Sequence, residues 1–289
     1  VQRKAIRQRG RRGRPFEAYD AAIVSAPASH HELGVHVQPL RTVADRVARL
    51  PLLEGNNIEP LHHGEQTYPR MLAAIAGARH SVTMASYIFD YDDVGKEFAR
   101  ALGVAARRGV SVYLLVDGIG ALGNFSRIGR MLLKSGAKVT AFVPLALPFG
   151  RIRLNLRNHR KMMIVDGRIA YVGGMNISAR HLLTRTHDPK RVEDLHFEIT
   201  GPVVAEIQHT FSEDWALATD EVLSGEAFFP PLAPTGNALC RGIASGPDED
   251  FEINHWMFAA AFAAAQKSIH VVTPYFVPTS PLIMNMTMA

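Results

Sequence analysis

Cysteine is almost absent: the 289 residues contain one, Cys240. A disulfide framework within the chain and a Cys-rich zinc module are both excluded by that count. Long apolar runs are missing as well. Spanning a bilayer takes ~20 consecutive apolar residues. The longest candidates here are residues 142–149, broken by Pro144 and Pro148, and the Ala-rich residues 257–265. The basic N-terminus lacks the apolar stretch that would follow it in a signal peptide. Acid is lacking between Arg3 and Arg14, where seven Lys and Arg residues fall. Without those seven, 25 basic side chains remain against 27 acidic ones, so the body is close to neutral. A basic arm on a near-neutral body suits an anionic membrane surface, or is simply a solvated tail. It suits a nucleic-acid groove poorly, because such a groove needs basic charge spread over the folded surface.

What is present reads as a globular chain, with 47% hydrophobic and 20% charged residues. Residues 1–53 are basic and then irregular, and the ordered domain is expected from Glu54. Helical spacing is found at 68–78, 94–108, 127–134 and 203–218. Strand patterns fall at 81–89, 110–116, 138–143, 161–165, 169–172 and 195–200, with Asp166-Gly167 as a hairpin turn. This alternation predicts an α/β fold, a mixed sheet flanked by helices. Residues 71–89 align without gaps to 258–276, with six identities, each reading as a helix running into a buried strand. The expected division is a domain at 54–220, a linker at 221–250 and the start of a second, incomplete unit at 251–289.

The densest chemistry lies between Arg151 and Asn176. His159 and Lys161 are two apart, so on a strand both face one way. Neutral imidazole can attack phosphorus while an ammonium holds the non-bridging oxygens. Gly173 and Gly174 permit a tight turn, and Asn176 can donate its NH₂ to the same oxygens. Arg157, with Arg151, Arg153 and Arg160, adds positive potential for an anionic substrate.

The spacing His-x-Lys-x4-Asp-x6-Gly-Gly-x-Asn, filled by His159, Lys161, Asp166, Gly173, Gly174 and Asn176, resembles the phospholipase D superfamily. The segments GNNIEPLHHGEQTYPRML, SYIFDYDDVGKEFARAL, AARRGVSVYLLVDGIGALG, LNLRNHRKMMIVDGRIAYVGGMNIS, EDLHFEITGPVV and TPYFVP resemble bacterial cardiolipin synthases within it, over about residues 54–280. The resemblance implies a phospholipase-D-like α-β-α sandwich and phosphatidyl transfer through a phosphohistidine. Two phosphatidylglycerols would become cardiolipin and glycerol at the bacterial cytoplasmic membrane. It implies no metal and no organic cofactor. It makes His159, Lys161, Asp166, Asn176 and Asp194 the candidate catalytic set. Within that set Asp166 is assigned to the hairpin turn and Asp194 to orienting His159. Lys161, Asn176, Gly173, Gly174, Arg157 and Ser178 are the candidate phosphate-binding residues.

Superfamily sites need two such motifs, and no second His-x-Lys follows residue 161. A truncated chain, or a homodimer supplying the partner histidine, would account for this. A hydrolase on the same scaffold and a catalytically incomplete membrane-binding remnant stay open as alternatives. Three patterns are set aside. Gly118-x-Gly120-x-x-Gly123 lacks the acid that would hold a ribose. His31-Glu32 with His36 has the wrong zinc-helix spacing. His62-His63 reads as a loop.

Overall fold

The computed structural model describes residues 34–48, 50–117, 125–142, 158–184, 189–244, 253–273 and 276–289. The basic arm at 3–14, His31, Glu32, the glycine loop at 118–123, the apolar loop at 143–149, Arg151, Arg153, Arg157 and Tyr275 lie outside them. In chain order the elements are α1 (Gln38–Val47), β1 (Leu53–His62), α2 (His63–Gly77), β2 (Ser81–Ser86), α3 (Asp93–Arg107), β3 (Ser111–Asp117), α4 (Phe125–Leu133), β4 (Lys138–Phe142), β5 (Met162–Val165), β6 (Ile169–Gly173), β7 (Leu195–Thr200), α5 (Val203–Thr219), β8 (Ala238–Cys240), α6 (Ile253–Ala263) and α7 (Ser280–Met288). Among the described residues they divide into two compact units, one spanning 53–240 and the other joining residues 34–52 to those after 240.

The first unit is built on one eight-stranded sheet in the order β4-β3-β2-β5-β6-β7-β1-β8. β2, β3 and β4 run parallel, and every other neighbouring pair is antiparallel. The two-residue period of a strand sends alternate side chains to opposite layers. Val82, Met84, Leu114, Val116, Met163 and Val165 meet Tyr68, Met71, Ile75, Phe98, Leu102, Ile128 and Leu132 of α2, α3 and α4. Thr83 and Tyr113 point the other way, to α5: Thr83 Oγ1 donates to Gln208 Oε1 at 2.9 Å, and Tyr113 meets Trp215 edge-on at 5.0 Å. Each fully buried aliphatic side chain, such as Ile75 or Leu102, is worth about 1.5–3 kcal/mol. The architecture is thus the expected mixed α/β sandwich.

Three local readings differ. α2 begins at His63, upstream of the expected 68, although Pro69 lies inside it. Gln66 Oε1 accepts the His62 N–H at 2.8 Å and so holds the entry turn ahead of the proline. β1 was not expected as a strand, yet it pairs with β7 along six residues. Residues 221–240, read as linker, belong to the first unit. Leu223, Phe228 and Phe229 are buried there, and β8 pairs with β1 through Leu53 and Asn56.

The second unit holds α1, α6 and α7, with the Arg241 guanidinium paired to Asp45. α6 matches the helical part of the repeat. The strand expected after it does not form among the described residues, where Val271 and Val272 are exposed. A strand needs a paired edge, and the described part of this unit contains no strand. Among the described residues no helix is long and apolar enough to cross a membrane.

Candidate active site

The β5–β6 hairpin positions the motif. Asp166 and Gly167 both have positive φ, 52° and 62°, and Arg168 N–H reaches Val165 O at 3.0 Å. Those φ signs are what a tight hairpin turn of the primed type requires, and Asn, Asp and Gly tolerate them best. The Asp166 carboxylate accepts backbone N–H bonds from Arg79, His80 and Ser81 at 2.9, 2.7 and 2.9 Å. It fastens the turn to the start of β2. Lys161 lies just before the other end of β5, roughly 13 Å or more away at ~3.3 Å per residue. Asp166 is therefore placed in the turn, away from His159 and Lys161.

His159 and Lys161 precede β5 instead of lying on it. What brings them together is Tyr87, the residue after β2. The His159 ring stacks on the Tyr87 ring at 4.0 Å between centroids and 24° between planes. Lys161 Nζ sits 5.3 Å from the same Tyr87 centroid and donates to the His159 carbonyl at 2.5 Å. Burial lowers the Lys161 pKa, while the Asp194 and Asp117 carboxylates push it back up. The ammonium is thus poorly solvated and suited to pairing with an incoming anion.

Both neighbours of His159 are anchored to buried acids. Asn158 N–H donates to Asp117 Oδ2 at 2.9 Å, at the end of β3. Asn158 Nδ2 donates to Asp214 Oδ2 at 2.9 Å, and Arg160 Nη1 reaches both Asp214 oxygens at 3.2 and 2.9 Å. Asn158 Oδ1 accepts Arg160 N–H at 3.0 Å, closing the loop around His159. Asp117 and Asp214 are each 1% exposed.

The second half of the motif follows β6. Its glycines are needed for space, with no positive φ at either. A Cβ on Gly173 would stand 2.4 Å from Leu195 O, and one on Gly174 would be driven into the Asp194 carboxylate. The next two N–H groups are accepted by histidines: Met175 N–H by His196 Nδ1 at 3.4 Å and Asn176 N–H by His181 Nε2 at 3.2 Å. Burial lowers both histidine pKa values, that of His196 to about 3, so both stay neutral acceptors. Asn176 Oδ1 accepts Ile88 N–H at 2.9 Å. Consecutive residues Tyr87 and Ile88 thus touch the two halves of the motif.

Asp194 Oδ1 accepts Leu195 N–H at 2.8 Å, and the carboxylate acts on Lys161 and His181 through space. Ser178 Oγ accepts Arg180 N–H at 3.3 Å and its carbonyl accepts the Tyr68 hydroxyl at 2.9 Å, which makes it a cap of the turn at Ala179–His181. Arg157 is outside the described residues. His62 and His63 sit with ring centroids 6.2 Å apart. Among the described residues no cluster of three or more His, Cys, Asp or Glu is placed to hold a metal. Sequence reasoning missed Tyr87, Asn158, Asp117, Asp214, His181 and His196. Asp117 carried a signal, a carboxylate closing an apolar strand; Tyr87 and Asp214 carried none.

Residues 71–215 match the family model described as "Cardiolipin synthase, PLD-like domain". The chain is 33% identical over 245 residues to cardiolipin synthase A of Pseudomonas entomophila (strain L48), covering 84% of this chain and 50% of that protein. It is 31% identical to the cardiolipin synthase of Alkalihalophilus pseudofirmus, over 89% of this chain and 52% of that one. The chain therefore spans about half the length of the curated relatives it matches. A solved structure, phosphatidylserine synthase from Haemophilus influenzae Rd KW20, shares the fold with a TM-score of 0.60 and 16% identity, over 87% of this chain and 63% of that one. The chain belongs to the cardiolipin synthase family of phospholipase-D-like proteins.

Proposed function

We propose that this chain carries the nucleophilic half of a phosphatidyl-transfer site. The observation that supports this most is the placing of His159 and Lys161 against one ring, Tyr87. The His159 ring nitrogen attacks the phosphorus of a phosphatidylglycerol. An N–P bond forms, the P–O bond to glycerol breaks, and the departing oxygen takes a proton from a partner histidine. The hydroxyl of a second phosphatidylglycerol then gives its proton to that partner and attacks phosphorus. The N–P bond breaks, releasing cardiolipin and restoring His159. Lys161 and the Asn176 amide hold the non-bridging oxygens, where negative charge grows in the transition state. Asp194 fixes the His159 tautomer. The partner histidine comes from outside these 289 residues, from a second copy or from the further length the curated relatives have. The work is done at the surface of the bacterial cytoplasmic membrane, where the anionic lipid substrate lies.

Phosphatidylglycerol vesicles test the reading. Cardiolipin and glycerol in equal amounts, with an acid-labile phosphoryl group on His159, are expected. Phosphatidic acid without cardiolipin would replace transfer by hydrolysis. Neither product, and no phosphoenzyme, would leave a binding remnant. A smaller effect concerns pH. Because the Asp194 carboxylate raises the Lys161 pKa against burial, Asp194→Asn removes support for the ammonium. The lysine then loses its proton at lower pH, so the alkaline limb of the kcat/KM profile moves to lower pH. An unmoved limb would separate that limb from Lys161.

A further inference from the structure

Tyr87 lies on a strip of chain that is pinned on both sides. Before it, Ser86 closes β2 and pairs with Val116 of β3. After it, Ile88 O accepts Ser86 Oγ at 2.6 Å and Ile177 N–H at 3.2 Å, and Asp90 N–H donates to Ile177 O at 2.9 Å. Ile88 N–H donates to Asn176 Oδ1 at 2.9 Å, so the strip is fastened to the second half of the motif. The backbone thus fixes where the Tyr87 ring stands, 4.0 Å from the His159 ring and 24° from parallel to it. None of these contacts uses the tyrosine hydroxyl. A partner stacked on the imidazole face does not cover the ring edge, where both nitrogens lie. His159 is exposed, so a substrate can reach that edge.

Charge decides what the stacked face can do. One imidazole nitrogen attacks phosphorus while the other keeps its proton. The N–P bond forms, the P–O bond breaks with its electron pair leaving on oxygen, and the imidazole ring becomes a cation. A second cation stands close by, because Lys161 Nζ donates to the His159 carbonyl at 2.5 Å. Like charges so near repel each other, which makes the attack harder. The face of an aromatic ring is negative, and it attracts a cation within ~6 Å of its centroid. The His159 ring at 4.0 Å and Lys161 Nζ at 5.3 Å are both inside that range of Tyr87. One ring therefore offsets both positive charges that the reaction brings together.

We propose that Tyr87 is a positioning residue whose π face stabilises the positive charge that develops on the His159 ring, and that the reaction uses its ring and not its hydroxyl. The inference rests on the proposed function in taking His159 as the nucleophile. Phosphoramidate tests it on the full chain without lipid or partner histidine: the imidazole nitrogen takes the phosphoryl group, the P–N bond of the reagent breaks and ammonia departs. Phosphorylation of His159 is followed by mass spectrometry of its peptide, with the exposed His80 as internal reference. Tyr87→Leu is expected to slow His159 by roughly fivefold, and Tyr87→Phe to recover most of that loss. Phenylalanines with one, two and three ring fluorines at position 87 nearly keep the shape while draining negative charge from the face. The His159 rate should fall stepwise across them while that of His80 stays level. A level His159 rate across the fluorinated series would make Tyr87 a packing surface and overturn the proposal, and so would an unchanged rate in Tyr87→Leu. If Tyr87→Leu fails to fold, the fluorinated series still decides, because packing is nearly constant along it. Absence of cardiolipin from the vesicle assay beside a stepwise series overturns the proposed transfer and leaves this inference standing. An unreactive His159 beside a reactive His80 overturns both.

Discussion

Asp214→Ala is expected to lower the unfolding free energy by about 3–5 kcal/mol, the usual cost of removing one member of a buried ion pair. Asp214 is 1% exposed and the Arg160 side chain only 18%. Without the carboxylate, a guanidinium and the Asn158 amide both lose an acceptor in a site where water replaces it poorly. Urea unfolding measures the loss, and a change below about 1 kcal/mol would deny the pair this role. Stability and placement can be separated. Replacing both partners with apolar residues, Asp214→Leu with Arg160→Met, removes the guanidinium along with its carboxylate and should recover much of the stability. It does not restore the two anchors beside His159. Phosphoenzyme formation should therefore stay depressed in the double variant, with kcat affected more than KM.

The second large effect belongs to the paired glycines, which look alike in the motif and differ in space. A Cβ on Gly173 would meet backbone, Leu195 O at 2.4 Å and His196 Cα at 2.6 Å, and β7 would have to move. On Gly174 its three nearest atoms would all belong to the Asp194 carboxylate. Gly173→Ala is thus expected to damage the fold, and Gly174→Ala to spare it while displacing Asp194. A displacement near 1 Å costs roughly 100-fold in turnover. The expected result for Gly174→Ala is a near-normal melting temperature with transfer down by about that factor. If transfer stays near wild type, Asp194 does not serve His159.

These two glycines also show how far sequence reading goes. Their presence was legible, but their reason was not, because the atoms they make room for lie some twenty residues downstream. Asp166-Gly167 was legible because a hairpin turn is a local matter of φ. The helices at 94–108 and 203–218 were legible from their apolar period, and α3 and α5 fall within a residue of those bounds. Tyr87 and Asp214 were not, since each acts on a loop more than fifty residues away in the chain. The strand expected in the second half of residues 258–276 had a suitable composition, but composition does not supply the neighbouring edge on which a strand depends.

β1 failed the reading for the opposite reason: Glu54, Asn56, Asn57, Glu59 and Pro60 are poor strand formers. Its neighbours explain why such residues suit it. Among the described residues β1 pairs with β7 and β8 alone, which begin at Leu195 and Ala238. A chain emerging N-terminus first can join β2, β3 and β4 once residue 142 is out. At that point both neighbours of β1 are still unmade. Counted from His62, more than 130 residues are made before β7 begins at Leu195, and until then β1 is an open edge, the kind that recruits other chains. Two carboxylates, two asparagines and a proline guard that edge, and Pro60 lies where β8 no longer runs. The pattern that hid β1 as a strand also keeps it solitary until β7 arrives.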